Sequence, residues 1–504
     1  MVARLGAIAP SGDNHKLASR QLHTLLGRCG IDLPIVENRD SELVSHYISP
    51  IRLLDLLRVK YPARFVEMAG IDRGKLARFW DSLLASPHGL QVRATPALVG
   101  LPGEALRRII PLCIHEDSGP FTKTKSVDIL SFSALFGSAG EKCSQYPIAS
   151  FVKEAPLSDV ESQHVWAPIL KECEELASKG VGEHRFLLLF VKGDLDVRSN
   201  TWGFASWNSH EPCSECCCDR AGRPYTDLVS SAAWRRAGVL TSAQYYARAR
   251  QPLHPLLASS FAWRFFAPLD LMHLADCHGL VNHVAGSVIG PLVSNERRLG
   301  ANRAARLKSI NDLLRAFYAA RPNYNRMPEL RMPNLTDSGG WYNLCGKTVK
   351  AANCRALAPF LVELAEAFYD SGTEYDRMVV RMVRSLDQFY SLLYTYDIVL
   401  SREQQSTFRR TLLRLGSTYQ RLRELSVVMH RQAWNIVFKI HYLQHLPELA
   451  SICNPTALQN YQDEGHVGTM TRLWGKCAVG NYKGVIQKHV LVRRLVGLFI
   501  RLGE

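Results

Sequence analysis

Residues 184–194, HRFLLLFVKGD, contain the pattern that decides the predicted fold. Six consecutive apolar residues, Phe186 to Val191, are followed by a lysine and then by Gly193 and Asp194. A short apolar run closed by a glycine is typical of a buried β-strand, because a helix usually needs about ten residues or more. The pattern therefore predicts a strand with a carboxylate at its carboxyl end.

Three earlier stretches of similar character predict three more strands. They are RIIPLCIHED (108–117), KSVDILSFSALF (125–136) and SQYPIASFVK (144–153). Residues 157–179 carry apolar side chains at helical spacing and predict a helix between the third and fourth strands. Three strands, a helix and a further strand are the order expected of a mixed sheet with one crossover connection.

The chain on either side of these strands is predicted to be largely helical, so the fold class is α/β (α+β) with a large helical part. We divide it into a helical N-terminal region (1–104), the sheet core (105–217), a helical insertion (218–435) and a C-terminal part of the core (436–504). Ser49 before Pro50 predicts a helix start in the first region. The main helices are predicted at about 262–288, 301–320, 355–370, 374–399, 403–440 and 482–502.

Composition and charge restrict the class of protein. The chain has 504 residues, 47% of them apolar, enough for a large buried core. It has no apolar run of about 18 residues and no apolar signal segment at its N-terminus, so we expect neither membrane insertion nor secretion. The 61 lysines and arginines exceed the 46 acids, giving a net charge of +15, which favours a polyanionic partner.

Two acids end predicted strands and a third lies far along the chain. Asp117 ends the first strand and Asp194 the fourth. Because neighbouring strands lie about 4.8 Å apart, the two carboxylates could share a divalent ion. Turn formation is the alternative role for Asp117, while Asp196 competes with Asp194 as a ligand or acts as a helix cap. Near the C-terminus, Glu464 begins a predicted helix that could return to this sheet.

The sequence PCSEC places Cys213 and Cys216 at the spacing that lets two thiolates bind one zinc ion. A tetrahedral site needs two further ligands. His441 and His445 are spaced i, i+4, so both imidazoles would lie on one helix face, where they could close the helical insertion onto the cysteines. Further candidate ligands are Cys217, Cys218, His273 and His278.

Several of these segments together resemble the En/Spm-like CACTA group of DDE transposases. IHEDSGP (114–120) is similar to that family's first-aspartate block, and GDLDVRSNTWGFASWNSHEPCSEC (193–216) to its GD and CxxC block. LDLMHLADCH (269–278) is similar to its D-x-MH block, and KIHYLQHLPELA (439–450), followed by YQDEGHVGTM (461–470), to its C-terminal blocks. The closing YQDE-x-x-VG pattern resembles the variants found in dinoflagellates.

The resemblance implies a ribonuclease-H-like core in which Asp117, Asp194 and Glu464 are catalytic ligands of Mg²⁺ or Mn²⁺. It implies a structural zinc site made by Cys213, Cys216, His441 and His445. It also implies cleavage and strand transfer of double-stranded DNA, namely transposon ends and target, in the nucleus, and it allows a homodimer. The expected phosphate-binding side chains are Arg410, Arg414, Arg421, Lys483, Lys488 and Arg494.

The chain departs from the family pattern near the proposed catalytic acids. Glu116 replaces a glycine before the first aspartate, Asp196 replaces a proline, and a glycine follows Glu464 where the family has arginine. These departures leave open a second function, that of a domesticated transposase that binds DNA without cutting it. A zinc-stabilised helical interaction protein with no role in DNA binding is a third, and its binding would lack a steep salt dependence.

Overall fold

The structure is a computed structural model that describes residues 24, 32–39, 43–137, 145–153, 157–477 and 483–503. The chain divides into two compact units. Unit 1 comprises Met1–Phe204, Ser242–Pro268 and Asn460–Glu504, and unit 2 comprises Ala205–Thr241 and Leu269–Gln459. This division differs from the predicted boundaries, because the N-terminal region belongs to the unit that holds the main sheet. Residues 436–459, which we expected in the core, belong to unit 2.

The strands are β1 Ile35–Arg39, β2 Val44–Ile48, β3 Ile110–Pro120, β4 Ser126–Ala134, β5 Tyr146–Lys153 and β6 Phe186–Lys192. The helices of unit 1 and unit 2, numbered in chain order, are α1 Pro50–Lys60, α2 Pro62–Ala69, α3 Arg73–Ala85, α4 Gly89–Arg93, α5 Gly103–Leu106, α6 Asp159–Ser178, α7 Ala233–Arg236, α8 Ser242–Ala247, α9 Pro255–Ala258, α10 Leu271–Ala275, α11 Leu280–Asn295, α12 Arg303–Ala319, α13 Ala351–Arg355, α14 Ala358–Phe368, α15 Glu374–Thr395, α16 Arg402–Val428, α17 Phe438–Leu443, α18 Leu446–Leu449, α19 Tyr461–Cys477 and α20 Lys483–Gly503.

The main sheet of unit 1 confirms the predicted mixed topology. Its strand order is β5-β4-β3-β6. β3, β4 and β5 pair antiparallel, whereas β6 runs parallel to β3. Helix α6 makes the crossover that returns the chain for a parallel pairing. It begins with a capping box between Ser158 and Glu161.

Burial explains why the central strands form. Every residue of β6 is buried, which suits the six apolar residues Phe186 to Val191 that precede Lys192. The edge of β6 is covered by the segment before Pro268, in which Phe266 O accepts a hydrogen bond of 2.7 Å from Val191 N. The indole of Trp263 donates to Leu189 O at 2.9 Å. These bonds hold the segment in a non-helical turn, so the helix predicted from residue 262 begins only at Leu271.

The N-terminal region is not purely helical, which corrects the prediction. Ser49 does cap α1, accepting a hydrogen bond of 3.2 Å from Arg52 N. Before it, β1 and β2 form an antiparallel pair. Gln487 of α20 bonds to both backbone groups of His46 on β2, at 3.1 and 3.0 Å. A side chain more than 400 residues away in sequence thus completes this strand, which local patterns could not predict.

Unit 2 is helical, as predicted, with long helices α11, α12, α15 and α16. The helix predicted at 403–440 ends at Val428, and both His430 and Trp434 have positive φ angles of 52° and 59°. In the described part of the chain, no helix has the length and apolar character needed to cross a lipid bilayer.

Candidate metal centre

Four buried side chains of unit 2 converge on one point. Cys213 Sγ lies 3.6 Å from His445 Nε2, and Cys216 Sγ lies 3.4 Å from His441 Nε2. The two Nε2 atoms are 3.3 Å apart. All four ligand atoms lie within 4.8 Å of one another, and none of the four residues is more than 5% exposed.

These distances are those of a tetrahedral metal site. Zinc bonds of about 2.3 Å to sulfur and about 2.05 Å to nitrogen give tetrahedron edges of about 3.6 Å between S and N and about 3.3 Å between two nitrogens. The observed separations of 3.6, 3.4 and 3.3 Å match these edges. The cluster therefore has the donor atoms and the spacing to hold a metal ion such as zinc.

The cysteines are held by a tight turn of the backbone. Glu215 N donates a hydrogen bond of 3.3 Å to Cys213 Sγ, which stabilises a thiolate at that position. Cys216 forms a β-bridge with Val239, and Leu240 N donates to Glu215 O at 2.9 Å. The turn is thus fixed from both sides before any metal binds.

The histidines are held by two short helices and an aromatic shell. His441 lies in α17 and His445 is the N-cap residue of α18, so the predicted single helix is broken between them. Trp234 packs against both imidazoles, with ring centroids 4.5 and 5.3 Å away. Phe438 stacks on His441 at 5.6 Å. This apolar shell excludes water, which strengthens metal coordination.

The protonation of the thiols suits a metal site. Burial acts to raise the pKa of the Cys213 thiol, but the hydrogen bond from Cys216 and the nearby imidazoles outweigh it and lower the pKa to about 7. Burial and the bond to Cys213 raise the pKa of Cys216. Burial also lowers the pKa of His445, which favours the neutral imidazole that binds metals. Metal binding would displace the remaining thiol proton.

The structure distinguishes between the ligands that the sequence left open. The Cys218 thiol is within hydrogen-bonding reach of both ligand cysteines but is not one of the four converging groups. Cys217 is partly exposed and also lies outside that group. His273 pairs through Nδ1 with Asp270 Oδ2 at 2.5 Å, and neither it nor His278 joins the cysteines.

In unit 1, Asp117 and Asp194 occupy matching places on neighbouring parallel strands. The last parallel pair joins His115 of β3 to Lys192 of β6, and each aspartate follows two residues later in its own strand direction. Asp117 is buried and Asp194 is partly exposed. Both carboxylates therefore lie at the carboxyl end of the parallel pairing of β3 with β6. Asp117 does not end its strand as predicted, however, because β3 continues to Pro120 and pairs Asp117 with Ile129 of β4.

Local hydrogen bonds orient the two carboxylates. Asp117 Oδ1 accepts from Ser118 N at 2.6 Å. Asp194 Oδ1 accepts from Val197 N at 2.8 Å, so Asp194 caps the turn that follows β6. We expected Asp196 as the alternative cap, but its carboxylate is exposed and instead accepts from Asn200 Nδ2 at 2.6 Å.

Helix α19, which carries Glu464, packs against the face of β3 that bears Asp117. A Cβ atom on Gly119, two residues after Asp117, would lie 2.5 Å from Thr471 Cγ2 and 3.2 Å from Val467 Cγ1. Glu464 precedes Val467 by three residues and Thr471 by seven, so all three lie on one face of the helix. This close approach also explains why position 119 is occupied by glycine, since a side chain there would clash with α19.

The carboxylate oxygens of Asp117, Asp194 and Glu464, all of them described residues, do not all lie within 4.8 Å of one another. That spacing is the requirement for a single ion. A two-metal site holds its ions about 3.5 to 4 Å apart on different carboxylates, so its acids can be more widely spaced.

A buried ion pair that the sequence did not reveal fixes the start of α19. Lys192 Nζ, at the end of β6, lies 2.5 Å from Asp463 Oδ2, and both side chains are almost fully buried. The pair joins residues 271 apart in sequence. The ion pair thus fixes the position of Asp463, the residue next to Glu464. Of these two neighbouring acids, Asp463 has a structural role and Glu464 is partly exposed.

The predicted phosphate-binding residues differ in what they contact. Arg410 and Arg414 are exposed on α16, whereas Arg421 is paired with Glu374 at 2.8 Å. On α20, Lys488 is exposed and the side chain of Lys483 lies outside the described residues. The expectation for Arg494 is corrected, because its side chain is buried and contacts His466 Nδ1 at 3.0 Å.

No protein family model matches the chain, and no curated protein sequence matches it.

Proposed function

We propose that this chain is a DDE-type DNA transposase that cleaves and transfers DNA strands with divalent metal ions. Its core would be ribonuclease-H-like and its Cys₂His₂ centre would hold a structural zinc ion. A domesticated derivative that binds DNA without cutting it is the alternative. The proposal concerns the chemistry of the three acids, and the fold and the thiol–imidazole cluster support it.

The observation that carries the proposal is the placement of Asp117 and Asp194. They follow the last paired residues of two adjacent parallel strands, His115 and Lys192. A position within β3 for Asp117, and just after β6 for Asp194, gives each carboxylate a rigid support. The strand order β5-β4-β3-β6, with the first three antiparallel and the last parallel, is the arrangement expected of a ribonuclease-H-like sheet.

Helix α19 supports a role for Glu464 at the same edge. The contacts of Thr471 and Val467 with Gly119 lay this helix along β3. The buried pair of Lys192 and Asp463 ties its first turn to the end of β6. The ion pair of Asp463 therefore links the residue next to Glu464 to β6, the strand that Asp194 follows.

The three acids are suited to hard divalent cations such as Mg²⁺ or Mn²⁺, since these prefer carboxylate oxygens. When bound, such ions supply an activated water or 3′-hydroxyl and balance the charge that develops on the phosphorus oxygens. The protein would contribute the positions of its carboxylates. The backbone bonds from Ser118 to Asp117 and from Val197 to Asp194 hold those positions without substrate.

The Cys₂His₂ centre is suited to a structural rather than a catalytic role. All four positions of a tetrahedral ion are filled by side chains of the protein, so no position is left for water or substrate. The ligands come from residues 232 apart in sequence, and the ion would close unit 2 into a single loop.

A strand-cleavage assay tests the proposed activity. Supercoiled plasmid and linear duplex DNA would be incubated with the full chain and Mg²⁺ or Mn²⁺, and nicked or joined products measured. We expect Asp117→Asn, Asp194→Asn and Glu464→Gln each to lower the rate by about 10³-fold or more, since each removes a metal ligand. Asp196→Asn is the matched control, because that exposed carboxylate bonds to Asn200 and should be dispensable.

Three results would be informative. Cleavage lost in the three variants and retained in Asp196→Asn would support the transposase. Binding of DNA without cleavage by the unaltered chain would support the domesticated alternative. Cleavage that survives in Asp117→Asn would overturn the assignment of the catalytic acids.

A further inference from the structure

An open groove on unit 2 is lined by four arginines, three of which the sequence analysis did not single out. It runs between α15 and α16 and has a volume of about 700 Å³. Three of its arginines come from α15 and one from α16. The charged residues that line it are Asp370, Arg377, Arg381, Arg384 and Arg414.

The spacing of the α15 arginines places them in a row. Arg381 follows Arg377 by four residues and Arg384 follows Arg381 by three, so all three lie on one face of the helix. Their side chains are exposed, as is that of Arg414 on the facing helix. Two helices thus contribute guanidinium groups to the lining of the groove.

Few of these charges are neutralised by carboxylates of the protein. Arg384 pairs with Glu366 at 2.6 Å, and Asp370, which also lines the groove, pairs with Arg298 at 2.9 Å. Among the residues that the structure describes, Arg414 bonds only to the neutral amide of Gln388, at 3.3 Å. Within the described residues, Arg381 has no ion pair. The groove therefore keeps a net positive charge that an anionic partner could neutralise.

The chemistry of the lining favours a nucleic acid backbone over exposed bases. Tyr369 is the only aromatic residue among the described residues of the lining, and it is buried, with its hydroxyl bonded to Val288 O. Proteins that grip single strands stack the bases on accessible aromatic rings, which this groove lacks. A row of arginines without such rings suits the phosphates of a duplex.

We propose that the groove between α15 and α16 binds the phosphate backbone of double-stranded DNA. The inference rests on the proposed function for the identity of the polyanion. For the part of the predicted contact surface on α16, with Arg410, Arg414 and Arg421, it substitutes a groove in which α15 supplies most of the charge. Arg421 lies outside that lining and is paired with Glu374 and Glu424.

The test is the salt dependence of duplex binding, measured by fluorescence anisotropy with a labelled 30-base-pair duplex and no added divalent metal. The double variant Arg381→Ala/Arg414→Ala removes two guanidinium groups that make no ion pairs within the described protein. The control Arg326→Ala/Arg402→Ala removes the same charge from exposed positions of unit 2 outside the groove. Far-ultraviolet circular dichroism and bound zinc would be measured for both variants.

We expect the groove variant to bind about tenfold or more weakly at physiological salt. The slope of log Kd against log salt should fall by about 2, since each phosphate contact contributes about 0.9. The control should keep the original slope. Equal losses in the two variants, or an unchanged slope in the groove variant, would overturn the proposal. So would preference for single-stranded RNA or for an acidic protein over the duplex.

The cleavage assay distinguishes this inference from the proposed activity. Groove-dependent binding without cleavage would uphold the inference and argue against a working transposase. Cleavage by the unaltered chain together with unchanged binding by the groove variant would uphold the transposase and overturn the inference.

Discussion

The thiol–imidazole centre of unit 2 and the carboxylates of unit 1 differ in most properties that govern how a protein holds a metal. The first has four converging ligands, all buried, within 4.8 Å of one another. The second has one buried acid, Asp117, and two partly exposed ones, Asp194 and Glu464, which are fixed separately by a strand, a turn and a helix. Four thiol and imidazole ligands that enclose a metal ion bind it tightly and stabilise the fold. Carboxylates that leave coordination positions open bind hard cations weakly and leave room for substrate.

Because of these differences, the two sites should contribute very differently to the free energy of folding. If the centre of unit 2 is structural, its metal is part of the free energy of folding. If the acids of unit 1 are catalytic, their metal should matter to activity and little to stability. Four measurements, from the largest expected change in stability to the smallest, test this contrast between the two sites.

Removal of a ligand from the thiol–imidazole centre should have the largest effect. Cys213→Ser or His441→Ala should abolish bound zinc and lower the free energy of unfolding by several kcal/mol, up to about 10, because the metal closes unit 2. Metal content and thermal unfolding measure this. Cys217→Ser changes a neighbouring thiol outside the cluster and should behave as the unaltered protein. A Cys213→Ser variant with full zinc content would contradict a Cys₂His₂ site.

Breaking the buried pair of Lys192 and Asp463 should cost less but remain large. Lys192→Met leaves the Asp463 carboxylate buried without its partner, so we expect a loss of about 3 to 5 kcal/mol. Chemical denaturation measures the change. Lys308→Met, which breaks an exposed pair with Asp312, should cost about 0.5 kcal/mol or less. Similar losses in the two variants would show that the α19 anchor is not the critical contact.

Buried His283 gives a pH effect of intermediate size in unit 2. Burial lowers its pKa to about 4, opposed by the charge of Asp337. The unfolded chain, with a pKa near 6.5, binds this proton more readily, so the stability is present above pH 6.5 and is lost as the pH falls toward 4. Between pH 7 and pH 5 the loss should be about 2 kcal/mol.

The comparison of His283→Gln with the unaltered protein isolates this contribution, because both proteins share the acid sensitivity of the metal ligands. The free energy of unfolding, measured by denaturation at pH 7 and pH 5, should fall by about 2 kcal/mol less in the variant than in the unaltered protein. His210→Gln alters an exposed imidazole of the same unit and should not reduce the loss. An unchanged loss in His283→Gln would contradict the neutral state of the buried ring.

Metal binding by the acids should have the smallest effect on stability. Mg²⁺ or Mn²⁺ at ten times its Kd should raise the free energy of unfolding by about 1.4 kcal/mol. Thermal shift measures this, and the shift should disappear in Asp117→Asn and Asp194→Asn but persist in Asp196→Asn. A stabilisation as large as that of the zinc centre would remove the contrast between the two sites.

Local patterns were sufficient for the sheet and for the ligand types. The apolar run Phe186 to Val191 and the three earlier segments form the strands that the sequence predicts, because a buried strand leaves a distinct local signal. The CxxC spacing indicated a metal site for a similar reason. The choice between the two histidine pairs depended on contacts more than 200 residues apart, which only the structure supplies.

The features that the sequence did not reveal share a physical cause. The pair β1 and β2, the ion pair of Lys192 with Asp463 and the burial of Arg494 each depend on partners distant in the chain. Strands of only five residues carry too short a pattern to identify. A basic residue on an amphipathic helix gives no local sign of whether it faces solvent or a buried histidine. Whether the acids bind metal remains a prediction that the cleavage assay tests.

The ligands of the thiol–imidazole centre are synthesised at different times, because they lie far apart in the sequence. Cys213 leaves the ribosome 232 residues before His445, an interval on the order of tens of seconds at ordinary translation rates. During that time the two thiols lack half of their coordination partners, and a reducing compartment would have to protect them. The helix that carries Glu464 is synthesised later still, so a nascent chain contains all four residues of the thiol–imidazole centre before it contains all three acids.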